Sequence, residues 1–193
     1  MTTIVLFHSV LGLRQVEMEA ADRMRALGHT VVAPDLYAGL AANSMDEGFA
    51  IMNSVGWKTI CRRAQNALDL APETAVLAGH SMGAGVIGSM WPGRPMCDGV
   101  VLLHGLAEIP QNVRHRTPIA VHVADPDPFA PPEEIAKWTM TAKRAGVRAD
   151  IFSYPTAGHF YTDRTLPDFD QAATEQTWAR LLDFLSAFHR TDH

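Results

Sequence analysis

The chain alternates between short unbroken apolar runs and longer stretches with a helical period. Residues 3–7 (TIVLF), 30–33 (TVVA), 74–78 (TAVLA), 99–103 (GVVLL), 119–124 (IAVHVA) and 147–153 read as strands. Several are near-continuous Val, Ile and Leu, which marks strands covered on both faces. Between them, residues 14–27 repeat Val16, Ala20, Met24 and Leu27 at helical spacing, and Gly28 ends the pattern. Residues 60–70 read as a helix closed by Pro72, and 84–90 as a small apolar helix beneath a sheet. Residues 132–145 open on Pro132, Glu133 and Glu134 and stop before Gly146, the polarity a helix dipole favours. Residues 171–188 form a long amphipathic closing helix. The stretch 36–55 has no clear period and holds Gly39, Asn43, Ser44 and Gly48, so it reads as a lid or substrate loop.

Such alternation predicts an α/β fold with a mostly parallel sheet and helices on both faces. Open sheets of this kind bind ligands at the carboxyl ends of their strands. The reactive side chains gather there. His8 and Ser9 follow the first strand, Asp35 the second, Ser81 the run 74–78 and His104 the run 99–103. Asp125 and Asp127 follow 119–124, and His159 follows the last strand.

Length and composition narrow the class. With 193 residues, 47% hydrophobic and 19% charged, the chain reads as one soluble globular domain spanning 1–193. A formal net charge of −5 argues against nucleic acid or an anionic membrane as partner. The first residues lack a basic segment, and their apolar run is too short for a signal peptide or a membrane span. Two cysteines, Cys61 and Cys97, lie outside any metal-type spacing and fit a reducing, cytoplasmic compartment. The only H-x-x-x-H pair, His189 and His193, falls at the terminus and no pair has H-E-x-x-H spacing, so no metal is expected. Composition leaves the oligomeric state, monomer or homodimer, open.

The most specific signal is Gly79-His80-Ser81-Met82-Gly83. It fits G-x-S-x-G, the sharp strand-to-helix turn that lifts a nucleophilic serine above a sheet. The glycines would relieve a tight approach that side chains at 79 and 83 would block. A serine hydroxyl needs a base, and the base needs an acid to orient it. In this fold the chain order is Ser, then Asp or Glu, then His. Downstream of Ser81, V-A-D-P-D-P-F offers Asp125 and Asp127, and A-G-H-F offers His159. Asp127 is preferred, because it sits one step beyond its strand in a Pro-bounded turn, while Asp125 fits a turn-capping role. Two N–H donors must hold the oxyanion. Met82, after the nucleophile, supplies one, and Val10, in F-H-S-V-L-G, supplies the other. His8, Ser9, Tyr37 and His104, near the crevice, are candidate substrate contacts. His122, inside a strand, reads as a hydrogen-bonded core residue.

Several segments resemble the dienelactone hydrolase family of α/β-hydrolases. F-H-S-V-L-G-L is similar to that family's loop after the first strand, and A-P-D-L-Y-A to its C-P-D-L-Y. D-P-F-A-P resembles its D-H-F-V-P, which carries the triad acid and so favours Asp127. A-G-H-F resembles its A-G-H-S-F, which carries the base, and the closing L-L-D-F-L is also similar. The resemblance implies an α/β-hydrolase with a minimal cap, acting on a small-molecule ester without a cofactor. The departures are as informative. The archetype's nucleophilic cysteine is Ser81 here, and the glutamate that partners it is Ser9. Its two carboxylate-binding arginines fall at Gly39 and Asp163, with Arg164 adjacent to the second. The expectation is a serine esterase that does not share the archetype's preference for an anionic lactone. A thioesterase or lactonase on the same triad, and a non-catalytic small-ligand module, are the alternatives.

Overall fold

The structure is a computed structural model that describes residues 1–189. Six strands form one sheet: β1 (Thr3–Phe7), β2 (Thr30–Val32), β3 (Val76–His80), β4 (Val100–Leu103), β5 (Pro118–Asp125) and β6 (Arg148–Pro155). Their order is β2-β1-β3-β4-β5-β6, and every pairing is parallel. The helices are α1 (Gln15–Ala26), α2 (Met45–Val55), α3 (Trp57–Asp69), α4 (Met82–Met90), α5 (Pro132–Ala145) and α6 (Gln171–Ser186). The chain is an α/β-hydrolase fold.

Strand periodicity sorts the core into two layers. Ile4, Leu6, Val76, Ala78, Val101 and Leu103 face α1 and α6, meeting Ala20, Met24, Leu181 and Leu185. Their alternates, Val5, Phe7, Leu77, Val100 and Leu102, face the other way into a larger cluster with Ile60, Ala64, Ile87 and Trp138. The central strands are therefore apolar at every position, while the edge strand β2 leaves Thr30 and Val32 exposed.

Two boundaries differ from the sequence reading in ways that matter. The strand expected at 74–78 runs at Val76–His80 instead. Gly79 and His80 pair with Leu102 and Leu103, so the turn to α4 begins one residue after the sheet ends. The stretch 36–55, expected as a loop, contains α2 over its second half. Ser44 caps that helix by accepting the Glu47 N–H at 3.3 Å. Gly48, Asn53, Ser54 and Gly56 dilute its apolar pattern, and its apolar side chains are only partly buried. Gly48 is there because a Cβ would lie 2.8 Å from the Val10 carbonyl oxygen. The terminal helix also ends earlier than expected, at Ser186, followed by a 3-10 turn at Ala187–His189.

Candidate active site

Ser81 sits between β3 and α4 at φ 49° and ψ −105°, a backbone conformation that costs an L-residue free energy and recurs at functional sites. The flanking glycines have separate reasons. A Cβ on Gly79 would lie 2.5 Å from the Gly83 carbonyl carbon. A Cβ on Gly83 would strike the Phe7 carbonyl at the end of β1. The first matches the expected crowding across the turn. The second shows that α4 is wedged against β1, which lets the elbow approach the loop after β1.

The side chains converge in one line. Ser81 Oγ lies 2.9 Å from His159 Nε2. His159 Nδ1 lies 2.8 and 3.0 Å from the two carboxylate oxygens of Asp127. This arrangement suits the tautomer in which Nδ1–H donates to Asp127 and Nε2 accepts the serine proton. Asp127 is buried and also accepts the Phe129 N–H at 2.9 Å, which fixes its turn. Asp125 ends β5 with an exposed side chain and does not face the imidazole. Loop 156–170 holds His159 through a contact the sequence did not reveal. Asp168 accepts the Phe160 N–H at 3.0 Å, and a Cβ on Gly158 would lie 2.7 Å from the Asp168 carboxyl carbon. Gly158 thus makes room for a carboxylate rather than supplying a special turn angle.

Val10 and Met82 line the same cleft as Ser81. Met82 is the first residue of α4 and has no intrahelical acceptor. Val10 N–H has no protein acceptor among the described residues. The loop carrying it is fixed from below by Glu17, a fully buried carboxylate on α1. Glu17 accepts the Ser9 N–H at 3.3 Å and the Arg14 N–H at 3.1 Å, with His80 Nδ1 3.6 Å away. Burial raises its pKa, but His80, the Arg14 N–H and His8 together hold the carboxyl below its usual range. Glu17 reads from sequence as an ordinary acidic residue in a helix's first turn. Only the fold shows that it ties the Val10 loop to His80, the residue before Ser81.

Ser81 opens onto a cleft of about 290 Å³. Its walls include Met45, Phe49 and Met52 from α2, Trp57 from α3, Gly85 from α4 and Phe129. None of its twelve lining residues is Lys, Arg, Asp or Glu. Of the four candidate substrate contacts, His104 lines it and the other three do not. His8 is a strut: its Nε2 accepts the Leu36 N–H at 3.0 Å and its Nδ1 donates to the Ser9 carbonyl at 2.7 Å. Burial lowers its pKa. Ser9 turns inward, where its Oγ accepts the Leu11 N–H at 3.3 Å. Tyr37 is buried behind the cleft with its hydroxyl 3.1 Å from Met82 Sδ, and burial pushes that hydroxyl up to about 12. His104, at φ 61°, bonds Thr162 Oγ1 at 2.7 Å through Nε2 and touches the His159 ring edge-on. Burial first, then the neighbouring His80 and His159, keeps it well below the ordinary histidine range. His122 bonds the Tyr154 hydroxyl at 2.8 Å inside the core.

The positions of the missing arginines are equally plain. No atom comes within 4 Å of a Cβ built on Gly39. Asp163 is buried and paired with Arg14 at 2.8 Å. Arg164 pairs with Glu19 and lines a separate cleft between α1 and α6 that contains none of Ser81, Asp127 or His159. Among the described residues no group of three or more His, Cys, Asp or Glu is placed to hold a metal, and no helix is long and apolar enough to cross a membrane.

Comparison with known proteins agrees with this architecture. A relative in Methylorubrum extorquens (strain AM1), named "Putative carboxymethylenebutenolidase", is 23% identical over 96% of this chain and 72% of its own. Among solved structures, the dienelactone hydrolase-like promiscuous phosphotriesterase P91 from metagenomic libraries superposes with a TM-score of 0.80 at 19% identity. The match covers 97% of this chain and 86% of that one. A phospholipase/carboxylesterase from Dyadobacter fermentans superposes with a TM-score of 0.61 at 14% identity, over 94% of this chain and 90% of that one. At such identities these structures speak for the fold. The model of the dienelactone hydrolase family matches residues 1–189, and the chain belongs to that family of hydrolases.

Proposed function

We propose that the protein is a serine hydrolase that cleaves a neutral carboxylic ester of a small molecule through an acyl-enzyme. The single observation that supports this most is the continuous line Ser81–His159–Asp127, with contacts of 2.9 and 2.8 Å. Ser81 Oγ attacks the ester carbonyl as its proton passes to His159 Nε2. Asp127 keeps the imidazole in the required tautomer and stabilises it once charged. The Met82 and Val10 N–H groups receive the oxyanion. The tetrahedral intermediate expels the alkoxide, which takes the proton from His159. Water then adds to the acyl-enzyme with His159 as base, releasing the acid and restoring Ser81.

The cleft favours a neutral substrate. The carboxymethylene group in the Methylorubrum relative's name carries a carboxyl that is ionised at neutral pH, and burying a carboxylate without a cation costs several kcal/mol. This cleft has no cation. The chemistry extends unchanged to thioesters and lactones, but no contact in the cleft selects them.

The test is Ser81→Ala. Turnover of a p-nitrophenyl ester should fall roughly 10³-fold or more with the fold intact. A fluorophosphonate should leave a single adduct, on Ser81. Unchanged turnover, or labelling elsewhere, would overturn the proposal.

A further inference from the structure

We infer that the cleft between α2, α3 and α4 is an acyl pocket, selecting esters whose acyl part is a compact apolar or aryl group. The inference rests on the serine mechanism proposed above and adds which half of the substrate the cleft holds.

The direction follows from the proton path. The leaving alkoxide must take its proton from His159 Nε2, so the alcohol lies on the His159 side of Ser81. The acyl group then extends the opposite way, along the first turns of α4. There the structure leaves open space. Gly85, one turn past Ser81 on α4, is exposed at the cleft floor. Trp57 hangs over it, with Cη2 3.5 Å from where a Cβ on Gly85 would be. Met52 and Phe49 of α2 line the same space. An acyl group runs over the bare backbone of Gly85 and stops at the indole.

The exposure of these side chains points to an occupant. Trp57 is 42% exposed, Phe49 36% and Phe129 52%, and all three border one cleft. Phe49 and Phe129 approach to 6.4 Å between ring centroids, and Phe129 lies 4.6 Å from the His159 ring. Clustered exposed aromatics mark a surface that a ligand covers. A cleft of about 290 Å³ sits at the small end of ligand pockets, which run from about 300 to 1,000 Å³. It has room for a phenylacetyl or hexanoyl group and excludes a long fatty chain.

The experiment measures kcat/KM for p-nitrophenyl acetate, butyrate, hexanoate, phenylacetate and laurate, and for phenyl and 2-naphthyl acetate. In the wild type, hexanoate and phenylacetate should exceed acetate by roughly tenfold or more, and laurate should fall back. Gly85→Leu fills the floor and should collapse the phenylacetate-to-acetate ratio by about tenfold. Trp57→Ala removes the stop and should shift the optimum toward longer acyl groups. Gly85→Ala, whose methyl meets Trp57 at ordinary contact distance, should lower the same ratio in a smaller step and serves if Gly85→Leu does not fold. The naphthyl-to-phenyl ratio, which varies only the alcohol, should not move in the Gly85 variants. A flat acyl profile, or an acyl ratio unmoved by Gly85 and Trp57 substitutions, would overturn the inference. So would a change confined to the alcohol pair. Ser81→Ala read alongside separates the two levels: if it is inactive while the ratios stay fixed, only the acyl pocket falls.

Discussion

At the scale of single residues, two neighbouring aspartates differ in where each carboxylate points. Asp127 and Asp125 are two positions apart, and both follow β5. Asp127 places both oxygens against His159 Nδ1, whereas Asp125 is exposed. Asp127→Asn should preserve the turn, because an amide oxygen still accepts the Phe129 N–H. It would favour the wrong imidazole tautomer and lower kcat by about 10⁴-fold. Asp125→Asn should change kcat by less than about threefold, since no hydrogen bond of its side chain reaches the imidazole. Steady-state kinetics of both variants on one ester checks this, and a larger loss in Asp125→Asn would reverse the assignment. Ser81, Asp127 and His159 were legible in the sequence because motif, chain order and strand ends all indicate them. Glu17 and Asp168 were not. Each acts by accepting backbone N–H groups of a loop distant in sequence, and no local pattern of an acidic residue distinguishes that from solvent exposure.

At the scale of elements, the β strands and five of the helices were readable because burial on one or both faces imposes a period. The exception, α2, is instructive. Its face combines core contacts with a cleft wall, so Met45, Phe49 and Met52 stay partly exposed, and glycines interrupt the pattern. A helix that serves a site carries a weaker folding signal than one that only fills the core. His8, Ser9 and Tyr37, expected as substrate contacts, do not line the cleft, for a related reason. Lying near a strand end places a residue near the crevice, but not on its wall. The elements that do form the wall bring no charge, and Arg164 is committed to Glu19 on α1. A neutral ester should therefore exceed its carboxylate analogue of equal size by at least tenfold in kcat/KM, and Arg164→Ala should leave that ratio unchanged. Kinetics on a matched pair, such as a methyl-ester-capped and a free-acid phenylacetate derivative, measures it. A preference for the anion that disappears in Arg164→Ala would show that this arginine reaches the cleft.

At the scale of the whole molecule, the same packing that builds the site makes stability depend on pH. His8, His104 and His122 are buried, and burial is the largest cause of the lowered pKa of each. For His122 the value falls to about 3, with the nearby Arg180 adding to the shift. Arg180 lies over the Phe152 and Tyr154 rings, which stack beside His122. Above about pH 6.5 these imidazoles are neutral in both folded and unfolded chains, and their contribution is fully present. As pH falls below 6.5 the unfolded chain binds protons that the folded one refuses, so stability is lost progressively toward the folded pKa. His122 contributes a slope of up to about 1.4 kcal/mol per pH unit, and His8 and His104 add to it in the same direction. Glu17, held below its usual range by His80 and the Arg14 N–H although burial opposes this, acts in the same sense at lower pH. Against a typical total of about 5–15 kcal/mol, that slope removes a measurable share of the stability in mild acid. The urea midpoint should be nearly constant from pH 8 to 7 and fall steeply between pH 6.5 and 5. His122→Asn, which keeps a hydrogen-bonding group facing Tyr154 but cannot titrate, should flatten the slope by about one proton's worth. A midpoint that stays level down to pH 5 would mean that these histidines accept protons without the fold opening, and the argument from burial would be wrong.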